Sequence, residues 1–150
     1  MSAGEDVVIA CDTSFLFSLY GNDEHSPKAV AWAAQNTRAL LLNHLTHFEF
    51  GNALRFSEFR KAIPPGAAAH YWAGFETAIA QGRLIVATSN LADVVDEAKR
   101  VSAMRTLAGG HRGSDILHVA SALKMKATHF LTFDANQKKL AEAEDLVVPV

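Results

Sequence analysis

Short apolar runs alternate along this chain with segments whose apolar positions recur every three or four residues. The runs Val7–Cys11, Ala39–Leu42, Leu84–Ala87 and His129–Phe133 predict strands, and Leu146–Val148 predicts a last one. Val7–Cys11 is unbroken and β-branched, which suits a strand covered on both faces in a parallel sheet. Phe15, Leu16, Leu19 and Tyr20 predict a short helix after Asp12-Thr13-Ser14, closed by Gly21–Glu24. Ser26-Pro27 opens a second, with Ser26 as cap, Pro27 at the first helical position, and Ala29, Val30 and Ala33 facing inward. A third starts at Thr46-His47-Phe48-Glu49 and runs towards Ala62, where Pro64-Pro65-Gly66 breaks the chain. Ala67–Gln81 forms a fourth, with Tyr71, Trp72, Phe75 and Ile79 on one side. Ser89 or Asn90 caps a fifth through Val94, Val95, Ala98 and Val101, and Gly109–Gly113 makes a flexible loop. Ser114 caps a sixth carrying Ile116, Val119, Ala120 and Leu123, and Ala135–Ala143 is the last.

Strands alternating with helices predict an α/β fold: a parallel sheet with helices on both faces. The sequence has no internal repeat, low-complexity tract or linker, so 1–150 reads as one domain. At that length a chain buries about 70% of its unfolded surface without staples. The single cysteine, Cys11, excludes an internal disulfide and reads as a small core residue in a reducing compartment. No apolar run approaches the ~20 residues of a membrane span, and Met1–Asp6 lacks the features of a secretory leader, so a cytoplasmic location is expected. Net charge is −2, so any nucleic-acid partner must be held by local basic patches or bound metal.

The chemistry lies in the acids. Open α/β sheets form their sites outside the carboxyl ends of the strands. Asp12 ends the first strand and Asp134 the fourth; Asp115 heads the sixth helix and Glu49 stands in the first turn of the third. Gathered in one pocket, four carboxylates raise each other's pKa values, and a divalent cation reverses the sign of that interaction. Mg²⁺ and Mn²⁺ take oxygen ligands and combine one or two carboxylates with water and substrate phosphate. Such a site suits phosphodiester hydrolysis. Each acid also has a local explanation. Thr46-x-x-Glu49 reads as a capping box, Asp115 favours a helix N-terminus, Asp134 reads as a cap and Asp12 as the start of a turn. Those readings leave unexplained why two buried strands both end on Asp at the same edge.

Asp12-Thr13-Ser14 after a buried strand, Thr46-x-x-Glu49, the run Arg112-Gly113-Ser114-Asp115-Ile116-Leu117-His118-Val119-Ala120, and Leu131-Thr132-Phe133-Asp134 together resemble the acidic motifs of the PIN-domain ribonucleases. More narrowly they resemble the VapC-like toxins of toxin–antitoxin pairs, in order and spacing from Val7 to Pro149. The resemblance implies a Rossmann-like three-layer PIN domain with a mostly parallel sheet of about five strands. It implies a Mg²⁺- or Mn²⁺-dependent endoribonuclease acting on single-stranded or loop RNA, such as tRNA or rRNA. It further implies a homodimer and a small antitoxin protein that inhibits it. Asp12, Glu49, Asp115 and Asp134 map onto the acidic cluster, with Asp12 and Asp115 as direct metal ligands; Ser14 and Thr132 match supporting hydroxyls.

Other constellations weigh less. Asp93, Asp96 and Glu97 read as a solvated helix face. His44 and His47 have zinc-like spacing but lack a third His or Cys partner. His111-Arg112 lies in the glycine loop beside Asp115 and suits either a phosphate contact or plain solvation. Arg55, Arg60, Lys61, Lys124 and Lys126 are possible RNA-steering charges or solvated faces. Tyr71, Trp72 and Phe75 read as core or dimer interface rather than a base-stacking platform. Among rival functions, a phospho-acceptor receiver would need an acceptor Asp after the third strand, where Thr88-Ser89-Asn90 stand instead. A non-catalytic binding module predicts no metal binding. A PIN-like nuclease of RNA processing or decay keeps the chemistry without an antitoxin.

Overall fold

The computed structural model describes residues 6–150, so Met1–Glu5, where the leader question was posed, lie outside the described residues. Four strands, β1 (Ile9–Cys11), β2 (Leu40–Asn43), β3 (Leu84–Ala87) and β4 (His129–Leu131), form one parallel sheet in the order β3-β2-β1-β4. Ala10 stands opposite Leu41 on one side and Phe130 on the other. The expected strand over Leu146–Val148 shrinks to a single parallel bridge between Val147 and His129. Phe130 N donates to Val147 O and Val147 N to Thr128 O. The next donor in that ladder would be residue 149, a proline without an N–H.

Helices α1 (Thr13–Tyr20), α2 (Ser26–Gln35), α3 (His44–Phe59) and α4 (Ala67–Ala80) are joined by α5 (Leu91–Gly109), α6 (Gly113–Lys124) and α7 (Ala135–Ala143). Side-chain alternation along the strands sorts them into two layers. Ile9, Cys11, Leu40, Leu42 and Leu131 pack with Phe15, Leu16, Phe50, Leu54 and Phe75 from α1, α3 and α4. Ala10 and Phe130 point the other way, into Val101, Ile116, Val119 and Leu140 from α5, α6 and α7. The result is three layers, α/β/α. Cys11 is buried, and its thiol pKa is pushed far up by burial and by Asp12. Glu144 after α7 accepts from Arg100 Nη2 at 2.7 Å and Arg105 Nε at 2.8 Å, tying that end to α5.

Several helix starts differ from the expectation. α3 begins at His44, because the Asn43 side chain accepts from Thr46 N at 2.7 Å and serves as the cap. Thr46 therefore lies inside the first turn, Glu49 falls in the second, and the capping box does not form. The far end stops at Phe59, before Lys61, which adopts left-handed backbone with φ 61°. Ser26 is not the cap of α2; its hydroxyl accepts from Asp23 N, and Val30 is exposed rather than inward. Asn90, not Ser89, caps α5. α5 runs on to Gly109, and Gly110 at φ 65° closes it, its N–H bonding to Thr106 O at 2.7 Å. The glycine loop is thus only three residues long before α6, and Ser114 lies within that helix rather than capping it.

Candidate active site

β1 is where the strand order reverses, since the chain leaves it for β2 on one side and returns as β4 on the other. In open α/β sheets the crevice at such a switch point, outside the carboxyl ends, is where ligands bind. Here it opens over Cys11 and Leu131, whose strands are stitched at that end by Asp12 N donating to Leu131 O at 3.1 Å. Asp12 follows β1 directly and caps α1, its Oδ1 accepting from Phe15 N at 3.0 Å and from Ser14 Oγ at 2.7 Å. Thr132 Oγ1 donates to Asp12 Oδ2 at 2.5 Å. Asp12 is only 3% exposed. Burial raises its carboxyl pKa against the opposing pull of hydrogen bonds from Thr132, Phe15 and Ser14.

The same hydroxyls end β4 two residues early and aim the last acid. Phe133 N donates to Ser14 Oγ at 3.1 Å and Asp134 N to Thr132 Oγ1 at 3.0 Å, in place of strand partners. Asp134 thus stands three residues past β4, not at its end, and caps α7 with Oδ1 accepting from Gln137 N at 2.8 Å. Gln137 is buried and its side chain donates to Asp115 O at 3.1 Å, joining α7 to the start of α6.

Asp12, Glu49, Asp115 and Asp134 all line one cavity of about 110 Å³, with Thr13, Ser14, Ser114, His118 and Gln137. All four acids named from the sequence therefore meet. The reading of Asp134 as a cap also holds, and Asp12, expected to start a turn, is a cap as well; each spends Oδ1 on its helix and keeps Oδ2 for the crevice or its hydroxyl. Glu49 has no capping role. Its Oε1 accepts from Thr13 Oγ1 at 2.9 Å and lies 2.6 Å from His118 Nε2. The His118 hydrogen bond is the chief reason its pKa falls, outweighing burial. Asp115 shifts the other way: burial, then the neighbouring Asp134 charge, raises its pKa. Asp115 Oδ2 is a buried atom with no hydrogen-bond partner. Arg112 approaches these two acids, with Nε 3.7 Å from Asp115 Oδ2 and Nη2 4.0 Å from Asp134 Oδ2, on a side chain 79% exposed.

This donor set suits a hard divalent cation. It is all oxygen, two of its members have raised pKa values, and one carboxylate oxygen is buried with nothing to bond. Among the described residues, no three Asp, Glu, His or Cys side chains converge as a ready-made cage. An ion that keeps several waters needs only one or two carboxylates, so the fit is to that kind of ion and not to a structural zinc.

His118 was the residue missed by sequence reasoning. It sits one turn after Asp115 on α6, amid the apolar positions Ile116, Val119 and Ala120, and looks like part of the core stripe. A polar side chain buried there needs partners, and that demand is the signal Asp-x-x-His carried. Thr13 figured only within Asp12-Thr13-Ser14, with no role of its own, and Gln137 was unmarked. Of the constellations given less weight, His47 packs against Trp72 and Phe75, Asp96 pairs with Lys99, and Glu97 with Arg100. Phe75 is core and Trp72 half-buried against it. Arg55 stacks over Trp72 and Arg60 over Phe56, outside the acid cavity.

The sequence model of the PIN domain matches residues 9–143. Among solved structures, the chain is similar to the crystal structure of PAE2754 from Pyrobaculum aerophilum, at 20% identity and a TM-score of 0.61, over 95% of this chain and 83% of that one. That likeness is one of fold. No curated protein matches this chain.

Proposed function

The chain belongs to the PIN domain family, and from that membership we propose that it is a Mg²⁺- or Mn²⁺-dependent endoribonuclease. PIN domains are generally nucleases, hydrolases of phosphodiester bonds that use divalent metal ions. The observation that carries the proposal is the meeting of four carboxylates at the β1/β4 switch point, with Asp115 Oδ2 buried and unbonded. Asp12 and Asp115 would hold the metal, with Asp134 and Glu49 completing the site. When bound, the metal supplies an acidified water and offsets charge building on phosphorus and the leaving oxygen. Thr132 and Ser14 fix the Asp12 carboxylate. Glu49, kept ionised by His118 and Thr13, offers Oε2 to orient the attacking water and take its proton. Arg112 is free to swing from the acids to an incoming phosphate, a long exposed side chain held only by contacts of 3.7 and 4.0 Å. RNA is favoured in loops, where unstacked nucleotides splay into a pocket.

The narrower reading is the toxin of a VapBC-type pair, a homodimer restrained by a small antitoxin. Its support is the ordered motif set, together with exposed apolar surface beside the site. A cleft of about 480 Å³ shares Thr13 and Ser14 with the acid cavity and is walled by Phe17, Phe56 and Ile63. Phe56 and Phe59 stack on each other in the open. A protein partner would cover such side chains. No helix among the described residues is long and apolar enough to cross a membrane.

The test is incubation of the purified protein with tRNA in Mg²⁺, in Mn²⁺ and in EDTA. Discrete cleavage that needs metal is expected; intact RNA in all three, with no metal-dependent rise in melting temperature, would favour a non-catalytic binding module. Induced expression in a bacterial host separates toxin from housekeeping nuclease, because only the toxin arrests growth, and Asp12→Asn must lift the arrest.

A further inference from the structure

The Asp115 helix also carries the group that sets Glu49. His118 is 4% exposed and lies on the same face of α6 as Asp115, one turn on. Its ring spans two helices. Nε2 is 2.6 Å from Glu49 Oε1, and Nδ1 is 2.9 Å from Thr46 Oγ1, both on α3. Thr46 is fully buried and anchored in turn, its N–H at 2.7 Å and its hydroxyl at 3.1 Å from Asn43 Oδ1 at the end of β2.

Hydrogen-bond chemistry fixes the direction of this chain at its Glu49 end. An ionised carboxylate only accepts, so His118 Nε2 must carry a hydrogen towards Glu49. Thr13 Oγ1 donates to the same oxygen at 2.9 Å. Two donors on Oε1 immobilise the carboxylate and leave Oε2 with no protein hydrogen bond among the described residues. Glu49 without them would be a long side chain in the second turn of a helix, 29% exposed and free to choose among rotamers.

We infer that His118 is a positioning residue: by locking Glu49 Oε1 it fixes Oε2 in register with Asp115, its own neighbour on α6. The inference rests on the nuclease reading, since it assigns what Glu49 must be held for. Two observations set it apart from ordinary core packing. The imidazole uses both ring nitrogens, and both partners lie on the helix that bears the acid. A histidine needed only to fill space between α6 and α3 would not require an acid on the far side. Asp115 and Glu49 sit on separate helices, and His118 supplies a side-chain link between them.

The experiment compares wild type, His118→Leu, His118→Gln, Glu49→Ala and the Glu49→Ala/His118→Leu double variant. Readouts are kcat and KM on tRNA with Mg²⁺, Mn²⁺ affinity by titration calorimetry, and melting temperature. His118→Leu should lower kcat about 10–100-fold with KM little changed, and weaken Mn²⁺ binding by about tenfold. His118→Gln, whose amide nitrogen reaches the place of Nε2, should recover most of that loss. In the Glu49→Ala background His118→Leu should cost nothing more, because residues acting as one unit are not additive. Should His118→Leu fail to fold, Thr46→Val probes the same chain one link back and should cost less kcat, again only while Glu49 is present. Full activity and Mn²⁺ affinity in His118→Leu, or a loss that adds to that of Glu49→Ala, overturns the positioning role while leaving the nuclease standing. Wild type that neither binds Mn²⁺ nor cleaves RNA takes down the nuclease reading, and this inference with it.

Discussion

Thr132 donates its hydroxyl to Asp12 Oδ2 at 2.5 Å across 120 residues of sequence, while its oxygen accepts from Asp134 N at 3.0 Å. One small side chain thereby sets the two acids that follow β1 and β4. Thr132→Val keeps the volume and deletes the hydroxyl, leaving a buried carboxylate oxygen and a backbone N–H without that partner. The loss should be about 1–3 kcal/mol in denaturant unfolding. It should shrink when combined with Asp12→Asn, where no carboxylate remains to be satisfied, and equal cost in both backgrounds would count against the pairing.

Asp12→Asn should abolish cleavage, a larger effect than the ~10–100-fold typical of losing an outer hydrogen-bond partner. Metal-free, the same variant should melt no lower than wild type, and higher at neutral pH. Burial raises the Asp12 pKa, so the folded state holds the charged form at a cost that the amide avoids. Thermal melting in EDTA at pH 7 checks the sign; a clear drop in stability would show that the carboxylate contributes to folding without metal.

Mg²⁺ or Mn²⁺ should raise the melting temperature of the wild type in proportion to the logarithm of its concentration, since a ligand of the folded state at 100 times its Kd adds about 2.7 kcal/mol. Asp115→Asn should flatten that response, because Asp115 Oδ2 is the buried oxygen with no other partner. Differential scanning fluorimetry over a metal series reads both, and an identical rise in Asp115→Asn would place the ion elsewhere.

Away from the site, Glu144 supplies a pH dependence with a definite sign. Burial opposes its ionisation, but hydrogen bonds from Arg100 and Arg105 outweigh that and lower its pKa. A depressed carboxylate stabilises the fold above its unfolded value, ~4.3, and that contribution is lost as pH falls through the lower folded value. Glu144→Gln should therefore cost about 1–2 kcal/mol at pH 7, discounted for the partial exposure of both arginines. Urea unfolding should show the gap between variant and wild type closing below about pH 4. A gap that persists there would mean packing, not charge, holds this corner.

Much of this was legible because it is written locally. Unbroken apolar runs marked the strands, and acids at their ends marked the edge where a site forms. Asp134 was read as a cap and is one, while Asp12, read as the start of a turn, caps α1 instead; each still lines the acid cavity, since one carboxylate has an oxygen to spare beyond its helix. What was not legible depended on partners distant in sequence. Asn43 took the cap that Thr46 was expected to supply, which released Thr46 and Glu49 to bond His118 on another helix. The final strand failed for a local reason that the apolar run at Leu146–Val148 obscured: Pro149 cannot donate. His118 hid because helical periodicity reports burial and says nothing of what a buried polar group will bond.

The most direct test of the account is the chemistry of the cut. The wild type should be given tRNA and Mg²⁺ in ¹⁸O-labelled water, and the new RNA ends read by mass spectrometry. Attack by water at the carboxylate cavity predicts a terminal monophosphate carrying one solvent oxygen, absent with EDTA and absent with Asp12→Asn. Ends that are 2′,3′-cyclic phosphates, or cleavage that survives EDTA or the loss of Asp12, would contradict it.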